Sequence, residues 1–539
     1  MSTFRSFLEY YENEMNYLIE SGKELKKQYP LMSNLDFSND SNDPDVKKLI
    51  EGTAFLNANL QKRIDEKNVE FSQELLNSIY PYFNRPTPSV SIFQINDYRK
   101  VCVVPQYTSI TSKYSNSDNE KFNFLTTSSI RTSAFEVVDI KKTSSNDLPK
   151  NVAKITDTAI EIFLHRLFDE TEKEIVFYIN KMEHSACLIY ESLLSFFKDQ
   201  PTPVFENSEQ IGELDFADDQ MIMPFLKNEN NCYKSVIEFN VFKEKFLFFK
   251  VKLNKAPYKS IQIPIRNNKS INVSKNSFLL NCVVGVNLVE KISDPINITH
   301  KKFRYKLFIK NNTDIYSIFN LRNLNDPDQK FINYFSLDFP NKTEKDVLWY
   351  YKKDNNINSS TFLYFFDDSM EPKTIFAKML CTQNNANEII ADNEEWNVNY
   401  YNLKASNLKK PTKYFSNSNY SDAQRKLIGH LNINYFGLDS DNTLQKLKEL
   451  FHIYSNYSSS YHFLNSISDI KFENKMIPFN GFMLPKVFIT LTLDSEPKAF
   501  LLARVISKLI KSTIPINKKV SLTLIKSENG EIWKEWDLN

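Results

Sequence analysis

Glycine is nearly absent, with 8 in 539 residues, and Gly429 and Gly437 are the nearest two. A loop that cradles phosphate needs glycines a few residues apart, because its backbone must take positive φ and approach the ligand closely. Neither a P-loop nor a dinucleotide fingerprint can be written with this spacing, so nucleotide enzymes of those types are excluded. Charge of one sign is also missing: 67 Lys and Arg against 66 Asp and Glu leave +1. Nucleic acid is therefore not an expected partner, since phosphate binding demands a basic excess. The five cysteines, Cys102, Cys187, Cys232, Cys282 and Cys381, are odd in number and scattered, which predicts reduced thiols in a cytosol. Long apolar runs are lacking too. The longest, Phe278 to Val289, carries Asn281 and Asn287 and is shorter than a bilayer span. The N-terminus places Glu9, Glu12 and Glu14 where a signal peptide needs apolar residues. A soluble, intracellular protein without a transmembrane helix is expected.

What the chain does contain is the balance of a folded protein, 41% hydrophobic and 25% charged. Its length predicts roughly three or four domains. Aromatic residues reach 14%, with 43 Phe and 27 Tyr. Phe, Tyr, Ile, Asn and Lys share A/T-rich codons, so genome composition accounts for part of this.

The first region, 1–88, reads as a helical arm. Phe4, Phe7, Leu8, Tyr11, Met15, Leu18 and Leu25 make one stripe, and Tyr10 and Tyr17 begin a second. A second helix opens with Asp43 as cap, Pro44 in the first turn and Asp45 at the positive end of the dipole. Its apolar residues Val46, Leu49, Ile50, Leu56, Leu60 and Ile64 follow a period near 3.6. A third helix is expected from about Glu70 to Tyr80. Pro81, Pro86 and Pro88 then fix an extended joint to the strands that begin with "SVSIFQI". Region 89–300 is rich in short strands, "KSVIEFNVF" among them, with one helix from Cys187 to Lys198. Region 301–404 continues the strands, and 405–539 is α+β. The expected fold class is α+β and multidomain, a helical arm followed by sandwich- or barrel-like domains and an α+β C-terminal domain.

Candidate chemistry is thin. Six histidines are the whole supply, with no H-E-x-x-H. His184 and Cys187 have a ligand-like spacing but no second pair to close a zinc site. No G-x-S-x-G marks a nucleophile elbow. The doublets Asp218-Asp219 and Asp367-Asp368 could supply paired carboxylates, yet neighbours on a strand point to opposite faces. No cofactor, metal or catalytic residue is expected. A helix apolar over more than one face is usually buried by more than one neighbour. The N-terminal helix is therefore expected either to meet partner chains or to pack in a bundle with the next two.

The segment "LLNSIYPYFNRPTPSVSIFQI", Leu75 to Ile95, resembles the signature of the TssF (VasA, ImpG) family of type VI secretion systems. "DPDVKKLIEGTAFLNANLQKRID" is similar to the helix upstream of that signature, through Asp43, Pro44, Val46, Leu49, Glu51, Phe55 and Leu56. "EFNVFKEKFLFFKV" resembles the family's F-x-F-P-E-K-F-L-F-F run through Phe239, Phe242, Lys245, Phe246 and Phe249. "FLLNCVVGVNLVEKISDPINITH" and several later segments also fit, in order along nearly the whole chain. The resemblance implies a structural baseplate wedge component with no catalytic residues. Two copies of such a chain would join one TssG-like subunit, with TssE-like and TssK-like proteins completing the wedge. Wedges would surround the hub at the cytoplasmic face of the inner membrane, docked there through partners, and seed sheath and tube. The candidate partner-facing residues are Phe7, Tyr11, Leu18, Leu49, Leu56, Tyr80, Pro81, Arg85 and Pro86. The rival readings are a strand-rich polysaccharide-acting enzyme using the acidic doublets, and a carbohydrate- or peptide-binding module.

Overall fold

A computed structural model describes residues 7–29, 44–79, 85–115, 120–144, 148–156, 158–217, 222, 233–266, 271–308, 313–334, 346–353, 360–367, 369–416, 443–454, 461–479, 482–513 and 519–538. The chain divides into two compact units, 1–84 with 418–434, and 85–417 with 435–539.

In the first unit the described residues form two helices, α1 (Phe7–Gln28) and α2 (Pro44–Ile79), packed on each other. The expected second and third helices are one. From Thr53 to Ile79 the sequence has neither glycine nor proline, so nothing interrupts the backbone ladder until the approach to Pro81. Pro44 stands at the first helical position, where its missing N–H costs nothing. Tyr10 is buried and donates its hydroxyl to Asp65 Oδ2 at 2.9 Å, tying α1 to α2. Ala54 and Ala58, one turn apart on α2, are fully buried.

In the second unit, six strands close a barrel in the order 90–96, 282–286, 121–126, 109–115, 395–398 and 404–407. Strands 90–96 and 282–286 are antiparallel, with Phe93 opposite Val283 and Ser91 opposite Gly285. Phe93, Phe124 and Trp396 meet in the barrel core with ring centroids 5.2–5.4 Å apart. A Cβ at Gly285 would sit 2.5 Å from the Phe93 ring. That position is glycine because the ring lies across its backbone.

Beside the barrel lies an eight-stranded sheet, ordered 278–279, 174–179, 248–253, 209–216, 202–206, 260–264, 158–166 and 135–144. The helix expected at Cys187 runs over Glu183–Leu194. "KSVIEFNVF", expected as a strand, is instead a helix, Lys234–Val241, followed by a 3-10 turn, Lys243–Leu247. The helix is buried almost all round, so its apolar pattern carries no period that separates helix from strand. Its Glu238 pairs with Lys245 of the following turn, both side chains being inaccessible to solvent, and accepts the Ile222 N–H at 2.8 Å.

Two further four-stranded sheets share one core. One comprises 289–292, 373–383, 296–298 and 313–323; the other is ordered 305–307, 361–366, 347–353 and 331–333. Trp349, Leu363, Ile375 and Met379 fill the space they enclose. The C-terminal sheet is ordered 467–479, 482–493, 519–526 and 532–537. Strands 482–493 and 519–526 are parallel, and helix Pro497–Thr513 makes the crossover such a pair requires. That helix packs on Glu183–Leu194, where Tyr190 and Phe500 lie 6.2 Å apart.

Candidate interaction surfaces

Helix α2 is apolar on two opposite sides. Ala54 and Ala58 occupy the buried side. At 100° per residue, Leu49, Leu56, Leu60 and Ile64 fall on the other side. They are 70%, 64%, 57% and 52% exposed. Such a stripe is what a helix carries when a second neighbour is to cover it. On α1, Tyr10 and Tyr17 have different fates, the first buried and the second 65% exposed.

The candidate residues divide accordingly. Leu49 and Leu56 lie on the open stripe. Phe7 is half-buried and meets Phe55 edge-on at 5.3 Å. Tyr11 is half-buried as well and, with Phe7, Leu8, Lys48, Gly52 and Phe55, lines a cavity of about 400 Å³ open to solvent. Leu18 is half-buried. Tyr80 and Pro81 lie outside the described residues. Arg85 and Pro86 are buried in the second unit, so they belong to its interior and not to an open surface. The Arg85 guanidinium stacks over the Tyr316 ring at 5.3 Å. The burial of these two was not legible beforehand, because their partners stand hundreds of residues away.

Those partners form a clamp. Thr87 and Phe415 form a β-bridge, Val90 N–H donates to Thr412 Oγ1 at 2.9 Å, and Ser91 Oγ donates to Lys409 O at 2.6 Å. Next to it, Asp314 accepts from Lys353 Nζ at 2.6 Å and from the Tyr414 hydroxyl at 2.5 Å. Burial, then the Asp314 carboxylate, holds the Tyr414 hydroxyl well above the ordinary phenol range. Pro86 and Pro88 therefore flank a hydrogen-bonded residue anchored within the second unit.

Of the groups weighed for chemistry, Cys187 and Asp367 stand in structural surroundings. Burial pushes the Cys187 thiol up to about 12, far from the thiolate a metal or nucleophile site needs. Burial alone would raise Asp367, but hydrogen bonds from Lys373 and Ser369 bring it below the usual carboxylate range. It is an ionised partner of Lys373 rather than a proton donor. Asp218, Asp219 and Asp368 lie outside the described residues. Among the described residues, no cluster of three His, Cys, Asp or Glu side chains is placed to hold a metal ion, and no helix is long and apolar enough to cross a membrane.

Comparison with known proteins decides the family. The model of the family described as "Type VI secretion system, TssF" matches residues 3–539. The chain belongs to the TssF family. Over 90 residues it is 36% identical to type VI secretion system component TssF1 of Pseudomonas aeruginosa, a match spanning 16% of this chain and 14% of that relative. The fold is shared with a chain of the type VI secretion system TssK-TssF-TssG baseplate subcomplex, at TM-score 0.75 and 17% identity, over 92% of this chain and 98% of that one. A chain of the baseplate complex from the type VI secretion system is similar at TM-score 0.59 and 18% identity, over 98% and 99% of the two chains. The TssF resemblance read from the Pro-rich segment and the motifs after it is therefore correct, as is the multidomain α+β class.

Proposed function

We propose that this chain is a structural baseplate component of a type VI secretion system, acting by docking against partner subunits and turning over no substrate. The observation that carries the proposal is the stripe Leu49, Leu56, Leu60 and Ile64, solvent-exposed opposite a side of α2 that is already buried. Apolar rows of this kind are costly in water and mark protein contacts. Phe7, Tyr11 and Leu18 on α1, with Tyr80 and Pro81 beyond α2, extend the proposed contact region.

The partners are a TssG-like subunit, in the ratio of two copies of this chain to one, and TssK-like and TssE-like proteins, around a hub and beneath a sheath. TssG and TssK accompany TssF in the solved subcomplex, one chain of which has the fold of this chain. The assembly would lie in the cytoplasm against the inner membrane. Co-expression with TssG-like and TssK-like genes from the same cluster tests this. A defined hetero-oligomer is expected. A monodisperse monomer that ignores both partners would overturn the assignment.

A further inference from the structure

The loop between strands Ile296–Ile298 and Tyr305–Leu307 carries the segment His300-Lys301-Lys302-Phe303-Arg304. Phe303 is 96% exposed, and Lys301, Lys302 and Arg304 are exposed around it. Among the described residues, no carboxylate lies within ion-pair distance of Lys301 or Lys302. The loop is held at its base. Thr299 N–H donates to the Tyr305 hydroxyl at 3.1 Å, and His300 Nε2 lies 3.0 Å from Glu371 O and 3.4 Å from Asp367 Oδ2. Residues 369–372, joined to it in this way, present Met370, 69% exposed. Two tied loops thus present two exposed apolar side chains beside exposed cations, with Glu371 an exposed acid next to Met370.

We propose that loops 299–304 and 369–372 form a membrane-contact tip that seats Phe303 and Met370 among the headgroups of an anionic bilayer, with Lys301 and Lys302 on the lipid phosphates. Charge complementarity selects this occupant, because each Lys or Arg at an anionic surface strengthens partitioning roughly fivefold. Shape selects it as well. A protruding ring needs a matching pocket on a protein, whereas the bilayer interface deforms around it. Single-stranded nucleic acid is less well served. On the neighbouring sheet face Tyr350 and Tyr364 stack on each other at 4.6 Å, and Arg304 covers Phe362 at 4.4 Å. Each of these rings already has one face occupied, which leaves less stacking surface for a base. One ring, one thioether and two lysines give weak, reversible attachment, which repetition of the chain in an assembly would multiply. The proposal needs nothing of the baseplate assignment and is tested on the full chain alone.

The test is flotation with vesicles of phosphatidylcholine alone and of phosphatidylcholine with phosphatidylglycerol in equal parts. The wild type should float with the anionic vesicles and be released by salt, and it should ignore the neutral ones. The double variant Lys301→Glu, Lys302→Glu should not bind, and Phe303→Ser should bind roughly tenfold more weakly. Because these side chains are exposed, all variants should melt with the wild type, and that melt is the folding control. Failure of the wild type to float with anionic vesicles overturns the proposal. So does equal binding by Phe303→Ser, which would mean a merely basic surface. Binding of poly-uridine without vesicle binding, lost in the double lysine variant, would overturn it in favour of nucleic acid. Loss of a protein partner in Phe303→Ser without any vesicle binding would do so in favour of a protein pocket.

Discussion

Thr87 and Phe415 exchange both backbone hydrogen bonds, Thr87 N–H to Phe415 O at 2.8 Å and Phe415 N–H to Thr87 O at 3.1 Å. Each stands a few residues from a point at which the chain passes between its two compact units. The second unit therefore binds two of its connecting segments to one another, with Pro86 and Pro88 stiffening one of them.

Phe415→Pro should release this pair. It deletes the donor to Thr87 O and should cost the second unit about 1–3 kcal/mol. Hydrogen exchange read by mass spectrometry should show lost protection over residues 87–92, while the barrel strand 282–286 stays protected. Unchanged exchange at 87–92 would mean that the bridge contributes nothing.

The barrel shows how far local sequence reaches. "SVSIFQI" and "CVVGV" read as strands from their β-branched and aromatic residues, and both are strands, paired with Phe93 opposite Val283. That residues 395–407 close the same barrel was not legible, because pairing across such a separation leaves no periodic mark. Strand Ile467–Phe479 was missed for a related reason. Its "KFENK" centre is polar, and its order comes from pairing along its length with Phe482–Leu493. The polar tail "IWKEWDLN" hid another strand, whose Trp533 and Trp536 are buried and whose Trp533 Nε1 donates to Glu191 Oε1 at 3.1 Å. The open stripe on α2 was legible as periodicity. Which side of the helix is covered was not, because both sides are apolar.

The ion pair of Glu238 and Lys245 is a test of the helix that was read as a strand. Both side chains are almost wholly buried, 1% and 3% exposed. Glu238→Ala would leave an uncompensated cation in the interior and should destabilise the second unit by about 3–5 kcal/mol. The double variant Glu238→Met, Lys245→Met removes both charges and should recover most of that loss in a denaturant titration. If the double variant were as unstable as the single one, the pair would be holding the turn by geometry rather than by charge compensation.

Lys534 should make stability depend on pH. Its ammonium is buried and donates to Phe197 O at 2.8 Å and Gln200 O at 2.9 Å, and burial brings it down to about 8. The unfolded chain holds this proton up to about pH 10.4, so between roughly pH 8 and 10.4 it binds more protons than the folded chain. Stability must then rise with pH across that window and fall as pH drops through 8. Lys534→Met lacks this slope. The stability of the wild type relative to Lys534→Met should shift in favour of the wild type by up to about 3 kcal/mol between pH 7.5 and 10. A flat difference would place the Lys534 amine in contact with water.

The two sides of α2 should respond in opposite ways to the same charge. Ala58 is fully buried, and Leu56, two residues earlier, is 64% exposed. An aspartate at position 58 would have to be desolvated against α1, so Ala58→Asp should unfold the helix pair, at a cost of several kcal/mol. Leu56→Asp places its carboxylate in water and should leave the helicity and melting of the isolated chain unchanged. In the assembled state the order reverses in interest: if the stripe is a docking face, Leu56→Asp buries an unpaired charge against the partner. Co-purification with a TssG-like subunit should then fail although the chain itself is folded. A Leu56→Asp chain that assembles as the wild type does would remove the stripe from the interface and leave the cavity lined by Phe7, Tyr11 and Phe55 as the surface to test next. If Leu56→Asp instead unfolds the isolated chain, the stripe is covered within the chain itself, and the partner-docking argument loses its observation.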